Sequence, residues 1–347
     1  MKKIHNGLLY CWKENRRAVL ATIIHVDGSA YRKEGARCLI YETGEVIGLI
    51  SGGCVEGDLL EHAKEVLASN KSKRIEYDFR WDEDDLWGMG LGCNGAITVW
   101  LEPFNPIEDR IYAERILSEI SNRLTCENSY PFVTIIETSN LEETQKNPYL
   151  STYDNQKNAH LFIKYDKPEL VDIEIDGVRM TVFVEPVQPL PNLFIIGSGP
   201  DAALLAKRAN DFDWRVHVVD HREQNLLTYF PNVNHKLIKR GEYHSLKIPA
   251  NSYVVILTHH LELDQLALQY LLTQDLAYIG VLGSRQRIAR LKSLLNTDDM
   301  EGSAFNLIHS PVGLDIGADS PEEITLSILA ELIAHKNGRL GGSLSKK

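Results

Sequence analysis

The chain contains no apolar run of the roughly 18 residues that a membrane span requires. Its N-terminus, MKKIHNGLLYCWKENRRAVLA, has early lysines but no apolar core of signal-peptide length. These absences predict a soluble, cytoplasmic protein with no membrane partner. Cysteine is scarce: five in 347 residues, an odd number, which argues against a disulfide framework. Positive charge is in deficit. Lys and Arg total 37 against 48 Asp and Glu, for a net charge of -11, which argues against a general nucleic-acid role. Local basic spots at Arg32, Lys33 and Arg37 can still meet an anionic small molecule. Hydrophobic residues, at 44%, are ample for a folded core, and the length predicts two domains.

In the first half, residues 7–16 read as a short helix and AVLATIIHV (18–26) as a strand. The loop DGSAYRKEGAR follows. CLIYETGEVIGLISGG then reads as two strands joined at Thr43-Gly44. VEGDLLEHAKEVLAS places apolar residues at 55, 59, 60, 63, 66 and 67, the spacing of an amphipathic helix. AITVWLEP and PFVTIIET read as strands on either side of a helix over 107–123, and 139–158 as a polar loop. Asp176-Gly177 marks a hairpin between LVDIEI and RMTVFVEP.

The segment VEPVQPLPN, with three prolines in nine residues, reads as an interdomain linker. It sets an N-terminal α+β domain over 1–188, a C-terminal domain over 189–337 and a disordered tail over 338–347. Beyond the linker, strands and helices alternate in the manner of a Rossmann-like, doubly wound parallel α/β sheet. LFIIGSGPDAALLA carries Gly197-x-Gly199-x-x-Ala202 between a strand and a helix, a dinucleotide-type fingerprint. Asp220 ends the next strand, where a ribose-binding acid is expected; a carboxylate there favours NAD over NADP. Pro200 removes one backbone N–H from the helix start, so close strand–helix packing is an equal account of the glycines.

Two further clusters fall at strand ends. THHLELD offers His259, His260 and Asp264 as metal ligands or proton carriers, or as an ordinary strand-end turn. GSRQR offers Arg285 as a phosphate contact, or as a surface cation opening a helix. Ser320, Pro321 and Glu323 form a capping-box signature for a final structural helix, and the loop Pro311 to Gly317 before it is assigned to the site.

Two cysteines lie in glycine-rich turns, Cys54 in SGGCVEG and Cys93 in GLGCNGA. Gly52 and Gly53 strip bulk from around the first thiol and let a ligand approach the backbone. Cys54 falls at a helix start, a position that favours thiolate and bound anions. Glu56 beside it serves either proton transfer or the helix N-terminus. The 39-residue separation of the two cysteines fits no zinc spacing. A soft metal or a large anionic cofactor is the functional reading, and a buried turn thiol the structural one. Cys11, Cys38 and Cys126 read as packing residues.

GSAYRKEGAR, GLISGGCVEGDLLEHA, GLGCNGAITVWLEP, LFIIGSGPDAALLA, VHVVDHRE, the THxxxxD pattern, YIGVLGSR and PVGLDIGADSPEEITLSILAELIA together resemble the XdhC/CoxI family over nearly the whole chain. These are xanthine dehydrogenase accessory factors that act as molybdenum-cofactor chaperones. The resemblance implies binding of molybdopterin or its dinucleotide form, and custody while a cysteine desulfurase sulfurates it. Transfer to a molybdenum hydroxylase such as xanthine dehydrogenase then follows. It implies thiol contacts from Cys54 and Cys93 to the molybdenum end, and a phosphate or nucleotide end at Gly197 and Gly199. Arg37, Asp220, His259 and Arg285 are the accompanying candidates. The family pattern has histidine at the position of Pro200 and aspartate at that of His260, so the role of this edge is altered here. No clear acid–base triad is present, as suits a carrier, and a homodimer is the default assembly. An NAD-dependent oxidoreductase is the competing reading.

Overall fold

The structure, a computed structural model, describes residues 1–80, 95–139, 149–150, 164–294 and 308–346. The chain divides into two compact units, Met1–Pro189 and Leu190–Lys347.

Unit 1 is built on an antiparallel sheet of five strands in the order β3-β2-β1-β5-β4: β1 (Ala18–Gly28), β2 (Arg37–Tyr41), β3 (Val46–Gly48), β4 (Lys73–Asp78) and β5 (Gly95–Phe104). Period-two alternation on β1 feeds two cores. Val19, Ala21 and Ile23 pack with Leu59, Ala63 and Val66 of α2 (Glu56–Ser69). Ala18 and Leu20 pack with Leu8 of α1 (Lys2–Glu14) and Ile116 of α3 (Arg110–Thr125). The predicted turn at Thr43-Gly44 is present, with Gly44 at φ 87°.

A second antiparallel sheet runs β7-β6-β9-β8: β6 (Tyr130–Thr138), β7 (Tyr149–Leu150), β8 (Glu169–Ile175) and β9 (Val178–Val187). Asp176 and Gly177 both take positive φ, 51° and 80°, as a two-residue hairpin turn requires. Two sequence readings change. The polar stretch 139–158 contributes strand β7, paired with Val133 and Thr134. The proline-rich linker begins later than its composition implies, because Glu185, Pro186 and Val187 complete β9. β8 pairs with β9 only as far as Val184, so Pro186 sits where the strand has a neighbour on one side alone.

Unit 2 carries a parallel sheet in the order β12-β11-β10-β13-β14-β15, which is the 3-2-1-4-5-6 order of a Rossmann sheet. The strands are β10 (Asn192–Ile196), β11 (Arg215–Asp220), β12 (Asn234–Leu237), β13 (Ser252–Ile256), β14 (Leu276–Val281) and β15 (Ile308–His309). Leu193 and Ile195 face α4 (Pro200–Asp211) and α8 (Pro321–Lys336). Phe194 and Ile196 face α6 (Leu261–Leu271) and α7 (Arg285–Leu294). A short α5 (Glu223–Tyr229) follows β11. The capping box at Ser320 and Glu323 forms as predicted. Residues 338–345 are exposed, and Leu344–Lys346 form a 3-10 turn.

Candidate functional site

The turn before α2 presents Cys54 to solvent. Its neighbours Ile50, Ser51 and Val55 are buried and anchor it. Ser51 Oγ accepts the N–H groups of Gly53 (3.2 Å), Cys54 (3.0 Å) and Val55 (3.3 Å), and donates to Glu56 Oε2. Glu56 Oε1 in turn accepts the Ser51 N–H at 2.9 Å. Burial pushes the Glu56 carboxyl up, but these hydrogen bonds outweigh it and hold the group below its ordinary value. Glu56 is therefore an acceptor that fastens the turn. The N–H groups expected to favour an anion are directed onto Ser51. Gly53, at φ 114°, keeps open space where a Cβ would stand, and the ring of Tyr31 lies 3.6 Å from the corresponding point on Gly52.

The three other described cysteines are buried. Burial pushes the thiols of Cys11 and Cys38 up to about 12, so they stay protonated and inert. Cys93 lies outside the described residues.

Arg37 stands elsewhere than the sequence reading placed it. Its guanidinium is buried and forks onto Glu185, at 3.0 Å and 2.5 Å. Arg123 from α3 forks onto the same carboxylate, at 3.3 Å and 2.5 Å. Burial opposes charge on Glu185, but two guanidiniums hold it ionised. Gly35, at φ 81°, is what lets Glu185 approach: a Cβ there would stand 2.8 Å from Oε1. The block EGAR thus builds a buried charge cluster, and Arg37 carries no charge toward a ligand.

In unit 2, Gly197 lies where β10 and β13 part company, the switch point of the sheet. Its φ is 121°, and a Cβ would stand 2.3 Å from the carbonyl oxygen of Leu257. Close approach of two strand ends therefore fixes this glycine. Gly199 caps α4, but Asp201 occupies the space beside it, with Oδ1 2.6 Å from the position of a Cβ. Asp201 Oδ1 accepts the Ala202 N–H at 2.9 Å, and Oδ2 pairs with His259 Nε2 at 2.7 Å. An internal carboxylate thus stands where the fingerprint would seat a phosphate.

Asp220 is buried and fully engaged. Oδ1 accepts Arg222 N–H (2.9 Å) and Nε (3.1 Å) and meets His221 Nδ1 at 3.1 Å. Oδ2 accepts Ser198 Oγ and Arg222 Nη2, both at 2.7 Å. Burial raises the carboxyl's pKa, but the bonds from Arg222 and Ser198 outweigh it and hold it at about 2. The expected ribose acceptor is instead a mount for Arg222.

The THxxxxD pattern resolves into a structural clasp. Asp264, 1% exposed, accepts Thr258 Oγ1 on one oxygen and Arg287 Nη2 on the other. The engaged cation at this edge is Arg287, while Arg285 is exposed at the first turn of α7. His260 Nε2 meets Arg240 Nη2 at 3.3 Å. Among the described residues, no group of three or more His, Cys, Asp or Glu can hold a metal ion. The loop from Pro311 to Gly317 is tied to α8 through Gly313 N–H to Glu331 and Ser327 Oγ to the Leu314 carbonyl.

A cavity of about 150 Å³ lies at the carboxyl edge of the sheet, lined by Gly197, Asp220, Arg222, Arg240, Thr258 and His260 among others. Arg222, Arg240 and Asp201 were not singled out in the sequence. The one available signal was the spacing of Arg222, two residues beyond the strand-end acid.

Residues 193–332 match the family described as the XdhC Rossmann domain, and residues 11–78 match the XdhC and CoxI family. Over 344 residues the chain is 34% identical to a probable xanthine dehydrogenase subunit of Bacillus subtilis (strain 168), spanning 96% of this chain and 97% of that protein. It is 25% identical over 317 residues to the "Molybdenum cofactor insertion chaperone PaoD" of Escherichia coli (strain K12), spanning 91% and 82% respectively. A crystal structure of a xanthine dehydrogenase from Bacillus halodurans superposes with a TM-score of 0.74 at 32% identity, over 98% of each chain. No helix among the described residues is long and apolar enough to cross a membrane. With the Rossmann strand order in unit 2 and this similarity along nearly its whole length, the chain belongs to the XdhC and CoxI family.

Proposed function

We propose that this protein is an accessory factor that binds the molybdenum cofactor as cargo and inserts it into a molybdenum hydroxylase such as xanthine dehydrogenase. Custody during sulfuration by a cysteine desulfurase, and action as a homodimer, belong to the same proposal. The observation that carries it is the turn at Cys54: an exposed thiol on bare backbone, beside two glycines, with the N–H groups of residues 53–55 and the Glu56 carboxylate already committed to holding the turn. A soft sulfur ligand of this kind suits a molybdenum–sulfur centre better than hard oxygen donors. Cys93 is the proposed second thiol. The cavity of unit 2, with Arg222 and Arg240 in its lining, suits an anionic group.

Protein purified from a cofactor-producing host is expected to carry molybdenum and a fluorescent pterin in equal amounts. Cys54→Ala should lose most of both while its thermal melt is unchanged. Full cofactor occupancy in Cys54→Ala would sink the thiol role.

A further inference from the structure

The cavity of unit 2 has an unusual charge arrangement for a Rossmann edge. The two places where a dinucleotide is normally read are both taken. Asp201 stands beside Gly199, where the pyrophosphate would lie, and its negative charge opposes phosphate there. Pro200 has removed a backbone donor from the same turn. Asp220, where a ribose diol would be gripped, has both oxygens engaged by Ser198, His221 and Arg222. The cations run the other way. Arg222 is braced through Nε and Nη2 on the buried Asp220, so its orientation is fixed before any ligand arrives. Arg240, in the loop that follows β12, lines the same cavity, with His260 against it and Glu262 3.6 Å away.

We propose that this cavity is a phosphomonoester subsite, in which Arg222 and Arg240 take the terminal phosphate dianion of a heterocyclic ligand. The glycine turn beside it carries no pyrophosphate. A planar guanidinium fork matches a terminal phosphate in shape and charge. A pyrophosphate bridge would have to displace Asp201. Resting on the cargo reading above, the ligand is the pterin monophosphate, and the dinucleotide form of the cofactor is disfavoured. The same phosphomonoester chemistry occurs on the 2′-phosphate of a pyridine dinucleotide, so the test separates the two sources.

The experiment titrates the full-length protein with the oxidised, fluorescent pterin phosphate released from molybdopterin, with its dephosphorylated product, and with NADP+ and NAD+. The pterin phosphate should bind at least tenfold more tightly than the dephosphorylated pterin, and inorganic phosphate should compete with it. Arg240→Gln, a substitution at a half-exposed side chain, should abolish that preference and leave binding of the dephosphorylated pterin unchanged. Arg222→Gln should do the same, with hydrogen exchange in β10 and β13 reporting that unit 2 is folded. Asp201→Asn should raise NAD+ affinity severalfold. Equal binding of the two pterins, or a preference that survives in Arg240→Gln, overturns the subsite. Unchanged NAD+ affinity in Asp201→Asn overturns the exclusion of pyrophosphate. If NADP+ alone binds and depends on Arg240, the subsite stands and the cargo reading falls. If no probe binds, the subsite falls, while the molybdenum and pterin carried by the purified protein decide the cargo reading separately.

Discussion

Ser51 and Glu56 hold the Cys54 turn from both ends: the Ser51 hydroxyl donates to the Glu56 carboxylate, and the Ser51 amide is received by the same side chain at 2.9 Å. Three consecutive N–H groups converge on Ser51 Oγ. Ser51→Ala removes that shared acceptor, at a cost of about 1 kcal/mol, as for loss of a helix cap. The thiol remains, but its position does not. Cofactor occupancy is expected to fall severalfold in Ser51→Ala, and alkylation of Cys54 by iodoacetamide to change rate. Unaltered occupancy would mean that the turn needs no such fixing.

The buried cluster of Arg37, Arg123 and Glu185 sets a second expectation. Glu185→Gln leaves two buried guanidiniums without their counter-charge. A buried pair broken from one side costs about 3–5 kcal/mol. Hydrogen exchange in β1 and β5 should accelerate accordingly, while exchange in β10 and β13 of unit 2 is unchanged. An unchanged exchange rate would mean that the cluster is solvated.

Glu102 supplies a pH dependence. Burial pushes its carboxyl from 4.5 up to about 7, against hydrogen bonds from Tyr149 and Tyr112 and the charge of Arg37. The folded state thus holds this proton more tightly than the unfolded one. The resulting stability is complete below about pH 4.5 and is lost as pH rises through about 7. Its ceiling is about 3 kcal/mol. Between pH 5 and 8, the urea midpoint of unit 1 should fall more in the wild type than in Glu102→Gln. Identical slopes would assign the proton elsewhere.

The two arginines at the start of α7 should behave oppositely. Arg287→Ala leaves Asp264, almost wholly buried, with Thr258 alone, and should cost unit 2 about 1.5–3 kcal/mol, as for a hydrogen bond to a charged group. Arg285→Ala, at an exposed position, should stay within about 0.5 kcal/mol of wild type. Hydrogen exchange in β13 and β14 distinguishes them, and equal changes would refute the clasp.

Local pattern made much of this fold legible. Gly44, the Asp176-Gly177 turn and the box at Ser320 each write a backbone conformation into adjacent residues. The parallel sheet followed from apolar runs alternating with helical periods. Charge partnership was not legible, because it joins residues remote in sequence. Arg37 and Glu185 are 148 positions apart, and nothing near Arg37 marks it as a core residue. Asp220 could be placed at its strand end, but its occupancy by Arg222 and Ser198 depends on side-chain direction. Cys54 was legible because glycine leaves a thiol nowhere to hide. Asp201 was passed over because an acid in a first helical turn is ordinary until a glycine beside it has lost its open space.

The placement of Glu185 bears on how this protein can be divided and how it can change. Its carboxylate comes from the last strand of unit 1, yet it neutralises cations on β2 and α3. The stretch over 11–78 carries the recognisable family block, but without residue 185 it would expose a lone buried cation and, without β5, an open sheet edge. Such a block is not a portable module. A change at Gly35, Arg37, Arg123 or Glu185 alone leaves a clash or an unbalanced buried charge that only changes at the other three can relieve.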